Sequence, residues 1–179
     1  MKYSYFLKCL VEFIKEDSRW NSIKYLEFGI RTAETFNSIS PLCELAVGVD
    51  VQDCSMGMNL SSNVLFYNMT TDEYIERFLS NGDVMFNVVF IDAFHSEVQV
   101  SKDFWGVFPY VVDNGIIIMH DTFPKSREHI DINWCGDCYK FAWDLRRNHN
   151  DVCEICTIPA NFGLSIVRKS NKQLCFLLE

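Results

Sequence analysis

Residues 86–96 of the chain read FNVVFIDAFHS, a short apolar run that ends in an acid and a histidine. The run is rich in Val, Phe and Ile and is almost free of polar residues, which is typical of a strand buried on both faces. The segment that follows it, Glu97–Val111, carries its large apolar residues on one helical stripe. A buried strand followed by an amphipathic helix indicates an α/β fold.

The same alternation continues along the rest of the chain. Continuously apolar strands that alternate with helices predict a mainly parallel sheet covered on both faces. The further predicted strands are Ile23–Phe28, Leu45–Asp50, Val64–Tyr67, Ile116–Met119, Val152–Ile158 and Phe162–Arg168, with Gln173–Leu178 as a further edge strand. The further predicted helices are Thr32–Ser38, Thr71–Leu79 and Asp137–Arg147, and a turn is predicted at Asp113-Asn114-Gly115.

The chain has 179 residues and no repeat or linker-like stretch, which predicts one domain. We divide it into an N-terminal helix (1–20), a core (23–168) and a C-terminal tail (169–179). The apolar N-terminal run is broken by charges such as Lys8 and Glu12, so it resembles an amphipathic helix rather than a signal peptide. We therefore expect a cytoplasmic protein, with a homo-oligomer through this helix left open.

Charge and hydropathy narrow the range of partners. The formal net charge is −8, and no cluster of Lys and Arg stands out, which argues against nucleic acid as the substrate. The sequence contains no apolar run of about 18 residues or more, so no membrane span is expected. A small-molecule ligand is the favoured partner.

Polar residues follow the predicted strands. In an open parallel sheet, ligands bind beyond the carboxyl ends of the strands, near the point where the strand order reverses. Gly29 ends the first strand region, and Asp50 follows about 20 residues later, where an acid can accept hydrogen bonds from ribose hydroxyls. The alternative is a turn glycine and a solvated strand end. The residues at predicted strand ends are Glu27, Gly29, Asp50, Asn68, Met69, Asp92, His95, His120 and Asp121.

Four segments together resemble the successive motifs of class I S-adenosylmethionine-dependent methyltransferases. They are LEFGIRTAET (26–35), VGVD (47–50), VVFIDAFHS (88–96) and DNGIIIMHDT (113–122). The subgroup that is most similar ends its fourth strand in Ile-Asp-x-x-His and its fifth in His-Asp. The resemblance covers about Ile23 to Arg168. It implies a Rossmann-like three-layer sandwich, with a seven-stranded sheet whose last strand is antiparallel. It also implies an enzyme that methylates a small-molecule acceptor at a hydroxyl group.

The resemblance also implies positions for the cofactor, S-adenosylmethionine. Glu27 and Gly29 would border its methionine part, Asp50 would hold the ribose, and Asp92 would lie beside the sulfonium. The predicted cofactor-binding set is Glu27, Gly29, Arg31, Asp50, Val51, Asn68, Met69 and Asp92, with Asn68 and Met69 near the adenine. The family usually has further glycines where this chain has Arg31 and Ala33. That departure leaves open a non-catalytic, S-adenosylmethionine-binding regulatory or interaction domain. A different nucleotide enzyme is disfavoured, because neither Gly-x-Gly-x-x-Gly nor a P-loop occurs.

Asp92, His120 and Asp121 form a predicted metal site. Two carboxylates and an imidazole could hold Mg²⁺ or Mn²⁺, with water and substrate oxygens completing the shell, and a cation there would lower the pKa of an acceptor hydroxyl. His95 is a candidate general base, so the predicted catalytic set is Asp92, His95 and His120. The alternatives are a hydrogen-bond network without an ion and, for His95, a residue at a helix N-terminus.

Two Cys-x-x-Cys pairs, Cys135/Cys138 and Cys153/Cys156, approach a four-thiolate zinc pattern, although the gap of residues 139–152 is just short of the usual range. The second pair falls in a predicted strand, where residues three apart point to opposite faces. WCGDCYK (134–140) also resembles a Trp-Gly-Asp element of the same subgroup. We therefore favour buried thiols over zinc. The polar segment Thr122–Asn133 is the predicted lid or acceptor loop, with a solvated connection as the alternative.

Overall fold

The structure is a computed structural model that describes residues 3–16, 20 and 22–170. The predicted edge strand Gln173–Leu178 lies outside the described residues. The strands are β1 (Lys24–Phe28), β2 (Leu45–Asp50), β3 (Val64–Asn68), β4 (Phe86–Ile91), β5 (Val111–His120), β6 (Cys153–Ile158) and β7 (Leu164–Lys169). The helices are α1 (Tyr3–Lys15), α2 (Glu34–Ile39), α3 (Thr71–Tyr74), which continues as a π-helical turn over Ile75–Leu79, α4 (Glu97–Val107) and α5 (Cys138–Asn148).

The seven strands form one sheet in the order β3-β2-β1-β4-β5-β7-β6. The first five strands, β1 to β5, are all parallel to one another. β7 is antiparallel to both of its neighbours, β5 and β6. The predicted Rossmann-like sheet with an antiparallel last strand is confirmed. The chain moves outward from β1 through β2 to β3 and then returns to β4 on the other side of β1. The strand order therefore reverses at the β1–β4 boundary, where a ligand cleft is expected.

Helices cover both faces of the sheet. On one face, α1 and α2 bury residues such as Val11 and Phe36 against the strands. On the other face, α3, α4 and α5 contribute Tyr74, Phe104 and Phe141 to a second core. Both faces of the central strands are therefore apolar, as in β4, where all six residues are buried. No helix among the described residues has both the length and the apolar character needed to cross a bilayer.

Three predicted element boundaries are wrong. The first is Asp113-Asn114-Gly115, which is not a turn before the strand but lies inside β5 as an irregularity: Phe86 pairs with Val111, whereas Val88 pairs with Ile116. Asn114 has φ +62° there, so the additional residues bulge out while the pairing resumes on both sides.

The second concerns the helix predicted to begin at Thr32, which begins at Glu34 because Ala33 has the left-handed backbone conformation. The helix after β4 also stops earlier than predicted. It ends at Val107 and tightens into a 3-10 turn that contains Pro109, whose ring nitrogen has no proton to continue the helical hydrogen bonds.

Candidate active site

A cleft of about 1240 Å³ opens at the carboxyl ends of β1, β2, β4 and β5. Its walls come from the loops that follow these strands, together with the first turn of α1. Of the predicted site residues, the cleft is lined by Glu27, Gly29, Arg31, Asp50, Val51, Met69, Asp92, His95, His120 and Asp121. Only Asn68 of the predicted set is not among its lining residues.

The loop after β1 passes very close to the end of β4. Gly29 has φ +89°, and a β-carbon at this position would lie 2.2 Å from the carbonyl oxygen of Asp92. Two further loop residues, Arg31 (φ 48°) and Ala33 (φ 58°), also have left-handed conformations. Such a conformation costs a non-glycine residue about 1–2 kcal/mol. The loop therefore has a backbone shape that glycines would adopt easily, although two of its three left-handed positions, Arg31 and Ala33, carry side chains.

Asp50 holds this loop from the end of β2. Its Oδ2 accepts hydrogen bonds from the backbone N–H groups of Ile30 (2.8 Å) and Arg31 (3.0 Å), and its Oδ1 accepts one from Gln52 (2.8 Å). An ionised carboxylate has about four acceptor positions. Asp50 thus fixes the loop, and these three bonds leave about one of its acceptor positions, which lies near the Cys54 thiol.

Asn68 supports the same region from outside the cleft. Its side-chain amide donates to the carbonyl oxygens of Asp50 and Val51, each at 3.0 Å. These bonds hold the chain as it leaves β2. Asn68 is therefore placed to shape the loop, whereas Met69 next to it lines the cleft.

Glu27 is a buried carboxyl group at the floor of the cleft. The Tyr25 hydroxyl donates to its Oε2 at 2.6 Å. Burial raises the pKa of Glu27 well above its ordinary value, and the negative charges of Asp92 and Asp50 add to that rise, while the Tyr25 bond opposes it. Glu27 therefore favours its neutral form.

Asp92, His95, His120 and Asp121 converge and are called the strand-end cluster below. His120 Nδ1 lies 3.2 Å from Asp92 Oδ1 and 3.1 Å from Asp121 Oδ2. His95 Nε2 lies 3.2 Å from Asp121 Oδ2 and 3.8 Å from Asp92 Oδ1. Two imidazoles and two carboxylates thus alternate within one group at the ends of β4 and β5.

These contacts change the acidity of the groups. Burial alone would raise the pKa of Asp92, but the hydrogen bond from His120 and the nearby His95 imidazole outweigh it and lower the pKa to about 2. Burial would likewise lower the pKa of His120, but its bonds to Asp121 and Asp92 raise it to about 10. The nearby carboxylates of Asp92 and Asp121 raise the pKa of His95, although burial opposes the rise. The cluster therefore favours an ionised Asp92 and a protonated His120.

The donor atoms of Asp92, His95 and Asp121 lie within 4.8 Å of one another, the one such set of three or more metal-ligand side chains in the described part of the chain. The predicted metal set contained His120 in place of His95. The structure brings His120 into the cluster, but its Nδ1 lies between the two carboxylates and its Nε2 is buried without a hydrogen-bond partner among the described residues. A mixed imidazole and carboxylate set is suitable for a divalent cation such as Mn²⁺.

The four cysteines of the two Cys-x-x-Cys pairs do not form a site of this kind. Cys135, Cys138 and Cys153 are buried, whereas Cys156 is exposed. The opposite exposure of the last two agrees with their alternation along β6. Across residues 3–16, 20 and 22–170, no cysteine belongs to a group of three potential metal ligands.

Several lining residues were not predicted from the sequence. Tyr3 of α1 donates its hydroxyl proton to Asp92 Oδ2 at 3.0 Å. Gln99 of α4 also lines the cleft, and its amide nitrogen donates to Thr71, Asp72 and Asp103. Neither residue lies at a strand end or in a recognisable motif, so the sequence carried no signal for them.

Large apolar side chains surround the mouth of the cleft. Phe94 is 58% exposed and Trp134 is 53% exposed, and Ile132 and Phe162 also line the opening. Ile132 belongs to the predicted acceptor loop Thr122–Asn133. The rim is thus apolar, whereas the interior around the strand-end cluster is polar and charged.

The fold and the cleft define a Rossmann-like domain with its ligand site at the β1–β4 reversal, the architecture of class I methyltransferases. The chain belongs to the methyltransferase domain family, whose sequence model matches residues 33–122. The class I S-adenosylmethionine-dependent methyltransferase family predicted from the motifs is therefore confirmed, and so is the predicted assignment as an enzyme. No curated protein sequence matches the chain.

Solved structures share the fold at low sequence identity. A putative caffeoyl-CoA O-methyltransferase from Staphylococcus aureus superposes with a TM-score of 0.71 at 14% identity, over 94% of this chain and 83% of that one. An O-methyltransferase from Bacillus cereus, in complex with SAH, has a TM-score of 0.67 at 14% identity, over 94% and 80%. The MycE methyltransferase of mycinamycin biosynthesis, in complex with Mg, SAH and mycinamycin VI, has a TM-score of 0.62 at 17% identity, over 91% of this chain and 49% of that one.

Proposed function

We propose that the chain binds S-adenosylmethionine in the cleft and transfers its methyl group to a hydroxyl group of a small-molecule acceptor. The observation that carries this proposal is the convergence of Gly29, Asp50, Asp92 and His120 on one cleft at the β1–β4 reversal. Cofactor binding is also supported by the SAH bound in the Bacillus cereus and MycE structures, and the hydroxyl acceptor by the O-methyltransferase names of two structural neighbours.

The cofactor would lie across the loops after β1 and β2. The remaining acceptor position on Asp50 suits a ribose hydroxyl, and Val51 and Met69 offer apolar contact on the adenine side. The carboxyl group of Glu27 lines the cleft beside the methionine end, where it can form a hydrogen bond with the cofactor. Arg31 lines the same part of the cleft, where its cationic side chain could contact the cofactor carboxylate.

The bound cofactor would supply an electrophilic methyl group. The strand-end cluster would complement its positive charge and accept a proton from the acceptor. Asp92, ionised, complements positive charge at the end of β4. His95 Nδ1 makes a short contact with the carbonyl oxygen of Trp134, which can only accept a hydrogen bond, so Nδ1 carries the proton of the neutral ring. Nε2 then has the lone pair that can take a proton from an acceptor hydroxyl, and Asp121 Oδ2 at 3.2 Å would stabilise the resulting imidazolium.

A divalent cation, Mn²⁺ or Mg²⁺, fits the same residues in a second way. Asp92, His95 and Asp121 would hold it, and the cation would provide Lewis acidity for the acceptor oxygen. The Mg in the MycE complex supports this possibility for a protein of the same fold. Because His95 Nε2 has one lone pair, proton acceptance and metal ligation there are alternatives that a metal titration separates.

The acceptor would enter through the apolar rim of Phe94, Ile132, Trp134 and Phe162. Apolar and aromatic side chains at an opening favour an acceptor with a sizeable apolar face, while its hydroxyl reaches the polar interior.

Four further properties remain predictions from the sequence. They are a single domain, a cytoplasmic location, the absence of nucleic acid as a partner, and a homo-oligomer.

The test combines binding and turnover. Calorimetry should detect S-adenosylmethionine but not NAD, and labelled cofactor with a panel of phenolic and sugar hydroxyl acceptors should give methylated product. Asp92→Asn should lower turnover by at least about 100-fold, whereas Asp83→Asn, an exposed acid outside the cleft, should not. Metal-free protein assayed with added Mn²⁺ or Mg²⁺ tests the cation.

Each negative result has a defined meaning. Failure to bind S-adenosylmethionine contradicts the whole proposal. Binding without transfer to any acceptor favours the non-catalytic cofactor-binding domain instead. Undiminished turnover in Asp92→Asn contradicts the assignment of the strand-end cluster.

A further inference from the structure

Tyr3 connects the first turn of α1 to the strand-end cluster. Its hydroxyl donates to Asp92 Oδ2 at 3.0 Å, across 89 positions of sequence. Its ring lies 4.4 Å, centroid to centroid, from the ring of His120 and 5.9 Å from that of Phe90. Tyr3 also lines the cleft itself. An aromatic side chain of the N-terminal helix therefore reaches the two groups at the centre of the site.

The two carboxylate oxygens of Asp92 have different partners. Oδ2 accepts from Tyr3, while Oδ1 faces the imidazoles of His120 (3.2 Å) and His95 (3.8 Å). The terminal torsion of an aspartate is broad, so a free carboxylate would rotate among several orientations. A donor held at Oδ2 selects the orientation in which Oδ1 points into the cluster.

The helix that carries Tyr3 is firmly placed. α1 buries Leu7, Val11 and Ile14 against the sheet and α2. Ser4, next to Tyr3, donates to Glu34 Oε1 at the start of α2 at 3.3 Å. The Tyr3 hydroxyl is thus supported by packing elsewhere in the fold, and does not depend on Asp92 alone for its position.

We infer that Tyr3 is a positioning residue of the active site, which orients the Asp92 carboxylate for the reaction and for a divalent cation. The inference rests on the proposed function, because it concerns the use of Asp92. Outer-shell partners that orient a ligating group affect metal affinity or activity by 10–100-fold. The same range is expected here for loss of the Tyr3 hydroxyl.

Tyr3→Phe is the informative variant, because it keeps the ring against His120 and removes only the hydroxyl group, which contacts Asp92 and Thr35. The matched control is Tyr5→Phe, the same change two residues along α1 at a side chain that is 58% exposed. Both proteins should carry a C-terminal tag, so that the start of α1 is unaltered. Mn²⁺ affinity by electron paramagnetic resonance, kcat, KM and the cofactor dissociation constant are measured for each.

Tyr3→Phe is expected to bind Mn²⁺ at least tenfold more weakly and to lose kcat by a similar factor. Its cofactor affinity and melting temperature should match those of the wild type, and Tyr5→Phe should match it throughout. A merely structural tyrosine would lower the melting temperature without this selective loss. Unchanged Mn²⁺ affinity and kcat in Tyr3→Phe overturn the inference.

Measurements on the wild-type protein distinguish failure of the proposed function from failure of the inference about Tyr3. If wild-type protein binds no Mn²⁺, the cation part of that proposal fails and kcat decides the inference. If wild-type protein also transfers no methyl group, a crystal structure of Tyr3→Phe decides it. Loss of the Asp92–His120 hydrogen bond then supports positioning by Tyr3, and retention of that bond overturns it.

Discussion

The backbone of Gly29 lies against the carbonyl group of Asp92, so closely that a β-carbon on Gly29 would be 2.2 Å from the Asp92 oxygen. The same two segments are joined by a hydrogen bond from Asp92 N to Phe28 O at 2.8 Å. The loop after β1 and the end of β4 are therefore one packed unit. A change in either should be felt in both.

Gly29→Ala is expected to destabilise the fold and to abolish cofactor binding. The left-handed φ of +89° and the clash with Asp92 backbone atoms together should lower the free energy of unfolding by about 2–4 kcal/mol. Urea denaturation and calorimetry measure the two effects. Gly57→Ala is the control, since a β-carbon there meets its nearest neighbour at 3.6 Å, an ordinary contact. Equal stabilities of the two variants would contradict the close approach.

Asp50→Asn should weaken cofactor binding about tenfold or more. The amide keeps one oxygen, so it cannot both accept the N–H groups of Ile30, Arg31 and Gln52 and bind a ribose hydroxyl. Asp53→Asn provides the comparison, because Asp53 is exposed, outside the cleft, and bonds only locally to Ser55. Calorimetric titration with S-adenosylmethionine checks the prediction, and equal affinities for the two variants would argue against Asp50 as the loop anchor.

Arg31→Gly should stabilise the protein slightly. Relief of the left-handed conformation (φ 48°) is worth about 1–2 kcal/mol, and the greater freedom of an unfolded glycine offsets about 0.4–1 kcal/mol of that. We expect a net gain of about 0.5–1 kcal/mol in urea denaturation. Ala33→Gly should gain less, because Ala33 is fully buried and loses the packing of its methyl group. A destabilised Arg31→Gly would show that the arginine side chain contributes to loop structure.

Asp103 should make stability depend on pH. The carboxyl group is fully buried, its Oδ2 has no hydrogen-bond partner among the described residues, and burial raises its pKa to about 6. The folded state therefore holds this proton more tightly than the unfolded state, whose pKa is about 3.9. The free energy of unfolding should fall as pH rises from about 4 to about 6, by about 3 kcal/mol from this group.

The matched variant for that prediction is Asp103→Asn, which stays neutral and can still accept from Gln99. Urea denaturation at several pH values should show its stability gaining on the wild type between pH 4 and pH 7. Parallel curves for wild type and variant over that range would contradict a raised pKa at Asp103. Asp83→Asn, at an exposed acid, should leave the pH dependence as it is in the wild type.

Most of the fold could be predicted from local patterns. The apolar run of β4 is fully buried, and β2 and β7 lie within two residues of their predicted bounds. Prediction from local sequence was wrong where pairing with a neighbouring strand overrides the turn preference of the residues. This is the case at Asp113-Asn114-Gly115, which lies inside β5. The prediction was also wrong at Thr32, because positive φ at Ala33 delays the helix and no sequence rule places an alanine there.

The structure brings most of the predicted site residues together in one cleft. They could be predicted because the ends of strands are easy to recognise in a sequence. Parallel strands in register place their C-terminal residues at one edge, so Gly29, Asp50, Asp92 and His120 follow from strand boundaries alone. Asn68 satisfies the same rule but uses its amide on the backbone of Asp50 and Val51. The direction of a side chain at a strand end is thus not contained in its sequence position.

The order of apolar and polar residues along the chain was enough to determine the layered sheet, the edge at which the cleft opens and the family motifs. These depend on periodicity and on the direction of strands, both of which are local properties. Only the tertiary structure decided that His95 joins Asp92 and Asp121, that His120 lies between the carboxylates, and that Tyr3 holds Asp92 from another layer. Those contacts depend on rotamers and on the packing of helices against the sheet. Residues far apart in sequence meet there because burying α1 lowers the free energy of the whole fold, not because of any preference of their own.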